Sequence, residues 1–159
     1  MSKKLKEWII TKEDAVFWLD KNGYWHNKYG KFQHKKIIDY FHSSIKKDKD
    51  GYYLSQMRDN LREKVYFRHE DTALFVIDVQ IADDIVLELN TKRKLKLKPR
   101  KLFIKEDNLY MMEGDEIVKF SEQGLMKISD LLEYQEDRYF IRVKGRKYAI
   151  KNAAPSQAD

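Results

Sequence analysis

Two stretches of the chain share one pattern of turns and apolar positions, and this repetition constrains the fold more than any single motif. Residues 16–54 and residues 102–141 each predict a hairpin, a further short strand, an amphipathic helix and a closing aromatic strand. At an offset of 86, Phe17 aligns with Phe103 and Tyr24 with Tyr110. Few aligned positions are identical, and any two ββα units share the two-residue period of strands and the 3.6-residue period of helices. A duplication and a coincidence of pattern therefore both remain open.

The turns and helices of the two stretches follow from local signals. Asn22-Gly23 predicts a two-residue type I′ turn, because both residue types tolerate positive φ. Apolar residues spaced three and four apart predict a first helix over residues 33–46, with Lys46 at its C-terminal end. Ser121 is a good N-cap for a second helix that extends to about residue 134.

The segment between the two stretches is rich in β-branched residues and turn signals. Residues 57–64 predict either a helical turn or a loop, and the following strands predict an antiparallel meander. The sequence therefore predicts an α+β fold in which a meander joins two repeated strand–helix–strand units. Its predicted segments are an N-terminal segment (1–15), a first repeat (16–64), the meander (65–101), a second repeat (102–151) and a disordered tail (152–159).

Composition excludes several classes of function. Without cysteine, the chain has no disulfide, thiolate metal site or cysteine nucleophile. The four histidines lack metal-ligand spacing, and no nucleophile or phosphate-loop motif is present. We therefore predict no metal, no cofactor and no enzyme activity. No apolar run approaches the ~20 residues that span a bilayer, and the charged N-terminus does not resemble a signal peptide. We expect a cytoplasmic protein with no membrane partner.

The charge is unevenly distributed. The chain has a net charge of +6, and residues 92–105 contain eight positive side chains and no acid. Lys94, Lys96 and Lys98 alternate with leucines, so a strand would present the lysines on one face. One interpretation is an edge strand that lysine protects from aggregation. The other is an anion-binding face, in which Arg93 and Arg100 would grip phosphate through two nitrogens each.

Several short motifs resemble one bacterial family. They are NGYW at residues 22–25, DGYYL at 50–54, the acidic pair Glu70-Asp71 and the turn Asn90-Thr91. This set is similar to the domain of unknown function 1285 (DUF1285) family. Ala73-Leu74 replaces the proline-aromatic pair of that family, and Gly30-Lys31-Phe32 lacks its usual proline and isoleucine. The resemblance implies two repeated units, the second superficially like a pleckstrin-homology fold, with a ligand site between the halves and a role in signalling.

These observations lead to one principal hypothesis of function. The protein would be a non-enzymatic ligand-binding or signalling module that holds a nucleotide-like anion at the interface of the two repeated units. Four cationic residues would meet the anion, and three polar residues would form hydrogen bonds; for Asp71, a turn cap is the structural alternative. The predicted ligand-binding residues are Arg68, Glu70, Asp71, Asn90, Lys92, Arg93 and Arg100. The alternative is a protein or nucleic-acid interaction module that uses the basic face at residues 92–105.

Overall fold

The computed structural model describes residues 6–153, and it has the α+β composition that the sequence predicts. Strands form most of its regular structure, together with short helices. The chain divides into two compact units, with the boundary between Ala73 and Leu74. We call residues 1–73 unit 1 and residues 74–159 unit 2, and we describe each unit by itself. The predicted disordered tail lies partly outside the described residues, from residue 154 onward.

Within residues 6–73, unit 1 contains two four-stranded sheets and one helix. The sheet orders are β4-β3-β2-β8 and β1-β7-β6-β5, with parallel pairing only between β2 and β8 and between β1 and β7. The elements are β1 (Lys6–Ile10), β2 (Phe17–Leu19), β3 (Trp25–Asn27), β4 (Gly30–Lys31), α1 (Lys35–Ser43), β5 (Ile45–Asp48), β6 (Gly51–Arg58), β7 (Leu61–Tyr66) and β8 (Arg68–His69).

An aromatic cluster around Trp25 forms much of the core of unit 1. Trp25 is 1% exposed. Its ring lies 5.0 Å from that of Phe67, 5.3 Å from that of Phe41 and 5.8 Å from that of Phe17, in edge-to-face geometry. Such pairs stabilise a core beyond the area that they bury. Phe41 therefore fixes α1 against the sheet that contains β2 and β3.

Unit 2 contains a seven-stranded sheet in the order β11-β10-β9-β14-β13-β12-β18 and a three-stranded sheet β15-β16-β17. Its strands are β9 (Leu74–Ile81), β10 (Ile85–Leu89), β11 (Lys94–Lys96), β12 (Leu102–Lys105), β13 (Asn108–Glu113), β14 (Glu116–Phe120), β15 (Leu132–Gln135), β16 (Arg138–Val143), β17 (Arg146–Ala149) and β18 (Lys151–Asn152). Its helices are α2 (Glu122–Ile128) and the 3-10 turns Pro99–Lys101 and Ser129–Leu131.

Helix α2 approaches strand β9 unusually closely. The hydroxyl of Ser121 donates to the carbonyl oxygen of Val76 (2.8 Å) and accepts from the N–H of Gly124 (3.1 Å), which confirms the predicted N-cap. A Cβ atom at Gly124 would lie 2.3 Å from the same Val76 oxygen. Only glycine fits at this position, because any side chain would have to displace backbone atoms.

Three local predictions are wrong. The first helix ends at Ser43 and α2 at Ile128, and strands β5 and β15 begin almost immediately afterwards. Residues 57–64 form neither of the two predicted structures. They form the end of β6, a tight turn and the start of β7, which pair as an antiparallel hairpin. At Asn22-Gly23 only Gly23 has a positive φ (87°), so the turn is not type I′. The carboxylate of Asp20 instead accepts from the N–H groups of Asn22 and Tyr24, which gives a wider loop.

The basic strand agrees with its prediction, and the meander agrees in part, because β7 and β8 at its predicted start pair with β1, β6 and β2 in unit 1. Strands β9, β10 and β11 pair antiparallel in sequence order. In β11, Leu95 is buried while Lys94 and Lys96 are exposed, and this strand is the edge of its sheet. The prediction of an edge strand with alternating lysine and leucine is confirmed.

Candidate functional site

A cleft of about 570 Å³ in unit 1 is the strongest candidate for a ligand site. Its size lies within the range of small-molecule pockets, ~300–1,000 Å³. Strand β8 pairs in parallel with β2, and in this register Trp18 stands opposite Arg68. Two aromatic side chains and several ionisable ones therefore meet in one place. The lining residues are Lys12, Trp18, Phe67, Arg68, His69 and Glu70.

The indole of Trp18 is held in place from one side. The imidazole of His26 stacks on it with the ring centroids 5.6 Å apart and the planes 9° from parallel. His26 Nε2 lies 2.7 Å from Oδ2 of Asp20. Burial raises the pKa of Asp20, but hydrogen bonds from the N–H of Tyr24 and from His26 outweigh that effect and lower the pKa overall. The carboxylate is therefore ionised at neutral pH and orients the imidazole that supports Trp18.

His69 contributes a neutral imidazole to the cleft. Its ring contacts Tyr52 (5.7 Å) and Phe67 (6.3 Å) edge-to-face. Partial burial lowers the pKa of His69 below its ordinary value of 6.5, against the opposite effect of a hydrogen bond to the backbone of Asp71. His69 is therefore mostly uncharged at pH 7 and suited to hydrogen bonding rather than to pairing with an anion.

The structure brings two of the predicted site residues of unit 1 together. Arg68 and Glu70 both line the cleft, and Glu70 Oε1 accepts a hydrogen bond from the N–H of Lys21 at 3.2 Å. Asp71 is exposed next to the cleft, and its backbone contacts His69. Lys12 and Arg68 form no ion pair with a carboxylate within residues 6–153. Their charges are therefore available to an anionic ligand.

The other predicted residues belong to unit 2 and have structural contacts of their own. Asn90 is only 2% exposed, and its side-chain oxygen accepts from the N–H of Phe75 at 3.0 Å. Lys92 lies in the exposed turn between β10 and β11 with φ of 76°. The guanidinium of Arg93 binds Oε1 of Glu116 through both terminal nitrogens, at 3.2 Å each. None of these three side chains lines the cleft of unit 1.

The remaining basic residues are partly neutralised by carboxylates. Lys96 Nζ lies 3.4 Å from Asp84 Oδ1, and Lys98 Nζ lies 2.5 Å from Glu113 Oε1. Arg100 differs, because its guanidinium lies 5.2 Å from the ring centre of Tyr148 instead of beside an acid.

Sequence reasoning missed Trp18 and Lys12, although a signal for Trp18 exists. Side chains alternate across a strand, so Trp18 must face away from Phe17 and from the fully buried Leu19. A half-buried tryptophan on the face opposite the core is a candidate binding residue.

Within residues 6–153, no group of three histidine, aspartate or glutamate side chains is placed to hold a metal ion. The helices of this part of the chain are all too short or too polar to cross a membrane.

These features define a class: a strand-rich α+β protein of two compact units, with an aromatic and cationic cleft in the first. One solved structure shares this fold. A DUF1285 family protein from Silicibacter pomeroyi DSS-3 is similar over 92% of this chain and 84% of its own, with a TM-score of 0.60 and 14% identity. A DUF1285 family protein from Shewanella baltica OS155 matches 72% of this chain and 91% of its own, with a TM-score of 0.49 and 16% identity.

The chain is thus related in fold to DUF1285 proteins, and the family resemblance inferred from the sequence is confirmed at this level. No family model matches the sequence, and a comparison with curated proteins finds no match. Because one fold can serve many functions, the chemistry of the cleft indicates the function better than the fold does.

Proposed function

We propose that the protein is a cytoplasmic, non-enzymatic ligand-binding or signalling module that holds a nucleotide-like anion. The observation that supports this most directly is the pairing of Trp18 with Arg68 across β2 and β8. A planar base would stack on the indole, and the anionic part of the same molecule would meet Arg68 and Lys12. Stacking of a base on an aromatic side chain contributes ~1–3 kcal/mol.

The polar lining residues suit recognition rather than catalysis. Glu70 accepts hydrogen bonds. One ring nitrogen of His69 already bonds the backbone of Asp71, and the other nitrogen of the uncharged imidazole can accept a hydrogen bond from a ligand. The lining contains no serine, threonine or cysteine that could act as a nucleophile. A site that holds a ligand without transforming it accounts for this set of side chains.

We also propose that the two units are repeats of one ancestral unit. In unit 1 the antiparallel strands β2, β3 and β4 precede α1 and the antiparallel strands β5, β6 and β7, and β8 then pairs in parallel with β2. In unit 2 the strands β12, β13 and β14 precede α2 and the strands β15, β16 and β17, and β18 pairs in parallel with β12. A pleckstrin-homology-like second unit is part of this proposal and rests on the family resemblance.

Substitution of Trp18 tests the proposed function. We expect a purine nucleotide to quench tryptophan fluorescence and to raise the thermal midpoint of the full chain. Trp18→Leu should weaken nucleotide binding by about 5- to 150-fold, which is the loss of one stacking contact. Trp8→Leu is the matched control, because Trp8 is 52% exposed on β1 and does not line the cleft.

Arg68→Gln should weaken binding of a nucleotide but not of the corresponding free base, because the guanidinium contacts only the anionic part. Equal affinity of Trp18→Leu and the unsubstituted protein for the nucleotide would refute the proposal. So would the absence of any effect of millimolar nucleotide on the thermal midpoint.

The alternative is a protein or nucleic-acid interaction module that uses residues 92–105. The exposed lysines of edge strand β11 support it, whereas the ion pairs of Arg93, Lys96 and Lys98 weaken it. Affinity for nucleic acid through this face would fall steeply as salt increases. Retention of single-stranded or duplex nucleic acid at low salt, without any response to nucleotides, would favour this alternative.

A further inference from the structure

A second cleft, in unit 2, has a different character from the first. It measures about 440 Å³ and lies where strands β17 and β18 meet the 3-10 turn Pro99–Lys101. Four of its six lining side chains are cationic, and none is acidic. The lining residues are Arg100, Arg146, Lys147, Tyr148, Ala149 and Lys151.

Tyr148 organises the cationic groups of this cleft. The guanidinium carbon of Arg100 lies 5.2 Å from its ring centre, and that of Arg146 lies 5.6 Å from the same centre. Both distances are within the range of cation–π attraction. Both guanidinium groups therefore contact one ring, and their carbon atoms lie at most about 11 Å apart.

Three of the four cations of this cleft lack the carboxylate partner that the fourth, Lys147, and the neighbouring Arg142 have within the described residues. Arg142 Nε lies 2.7 Å from a carboxylate oxygen of Glu133, and Lys147 interacts with Glu133 and Gln135. In the described part of the chain, by contrast, Arg100, Arg146 and Lys151 form no ion pair with a carboxylate. A cluster of like charges without acids is more stable when an anion occupies it.

We propose that Arg100, Arg146 and Lys151 form a binding site for the phosphate groups of a small polyphosphorylated anion. Guanidinium forks bind phosphate through two parallel hydrogen bonds, and an ammonium group adds a compact charge. The aromatic ring in the lining already contacts both arginines, so recognition rests on phosphate groups and not on stacking of a base. The site is independent of the cleft of unit 1, and it recognises phosphate groups instead of a planar base.

Calorimetric titration of the full chain with inorganic triphosphate at physiological ionic strength tests this site. Arg100→Gln/Arg146→Gln should weaken triphosphate binding tenfold or more, because two charge-assisted contacts are lost. The control Arg62→Gln/Arg138→Gln removes the same charge from exposed positions outside the cleft and should change affinity less than twofold. Circular dichroism confirms that each variant is folded.

Equal weakening in the two double variants would overturn the proposal, because binding would then depend only on net charge. Absence of triphosphate binding at millimolar concentration would overturn it as well. Arg68→Gln, which removes a cation from the cleft of unit 1, should not weaken the triphosphate binding that depends on Arg100 and Arg146. This result separates the site from the proposed nucleotide cleft, because triphosphate carries no base for Trp18 to stack on.

Vesicles that contain phosphatidic acid distinguish the source of the phosphate. If the protein sediments with these vesicles and the double substitution at Arg100 and Arg146 abolishes sedimentation, the bound phosphate belongs to a lipid headgroup. Triphosphate binding without sedimentation assigns a free anion, and both results support the same site. Vesicle binding that the double substitution leaves unchanged contradicts a phosphate site at these arginines.

Discussion

Replacement of Gly124 by alanine tests how closely α2 packs on strand β9. A methyl group at this position would lie 2.3 Å from the oxygen of Val76, where ordinary contacts begin at 3.4 Å. The helix would therefore have to move by about 1 Å. Both hydrogen bonds from Ser121 to the Val76 oxygen, at 2.8 Å and 3.1 Å, would lengthen as a result.

The expected cost of this substitution is the sum of opposing effects. Overpacking costs ~1–3 kcal/mol, and each weakened hydrogen bond costs up to ~1 kcal/mol. Alanine recovers ~1 kcal/mol through its higher helix propensity. We therefore expect Gly124→Ala to reduce the free energy of unfolding by about 2 kcal/mol, and by no more than about 4 kcal/mol.

Urea unfolding followed by circular dichroism measures this change. Fluorescence is unsuitable, because Trp8, Trp18 and Trp25 all lie in unit 1 whereas Gly124 lies in unit 2. Gln123→Ala, at an exposed neighbouring position of α2, is the control and should change stability by less than ~0.5 kcal/mol. A Gly124→Ala protein as stable as the unsubstituted chain would refute the packing argument, since helix propensity alone predicts stabilisation.

Two further predictions concern buried polar contacts. Asn90→Ala should cost ~1–3 kcal/mol in urea unfolding, because the N–H of Phe75 would lose its buried acceptor; an unchanged midpoint would contradict this role. Hydrogen bonds from Lys64 and Tyr66 lower the pKa of Asp48 from 3.8 to about 2. The stability from Asp48 is therefore complete above pH 3.8 and is lost as pH falls through about 2. Asp48→Asn should reduce stability at neutral pH and flatten its decline in this acid range; parallel curves for the two proteins would contradict the assignment.

Periodicity in the sequence predicts the local structure well where one period dominates. Alternation of lysine and leucine predicts the faces of β11, and the Ser121 cap predicts the start of α2. The ends of both helices are mispredicted for one physical reason. Ile45 and Leu132 continue the helical spacing of apolar residues but begin strands β5 and β15. An apolar residue just after a helix satisfies both periods, so tertiary pairing decides its state.

Some residues of the candidate site are predicted from the sequence, and others are not. Arg68 and Glu70 are predicted from charge and family resemblance, and they line the cleft. Asn90 is predicted from the same resemblance, yet its amide forms a buried hydrogen bond with β9. Trp18 is missed, because its partners Arg68 and His69 are distant in sequence and approach it only through parallel pairing of β2 with β8.

The sequence by itself determines the strand–helix–strand pattern of the two similar stretches, the basic edge strand and the absence of cysteine chemistry, because these depend on residue type and on spacing along the chain. The tertiary structure decides which side chains meet. Parallel pairing of short strands brings Trp18 to Arg68, and the 3-10 turn beside β17 brings Arg100 to Tyr148. These contacts join residues about 50 positions apart, and no local period specifies contacts over such separations.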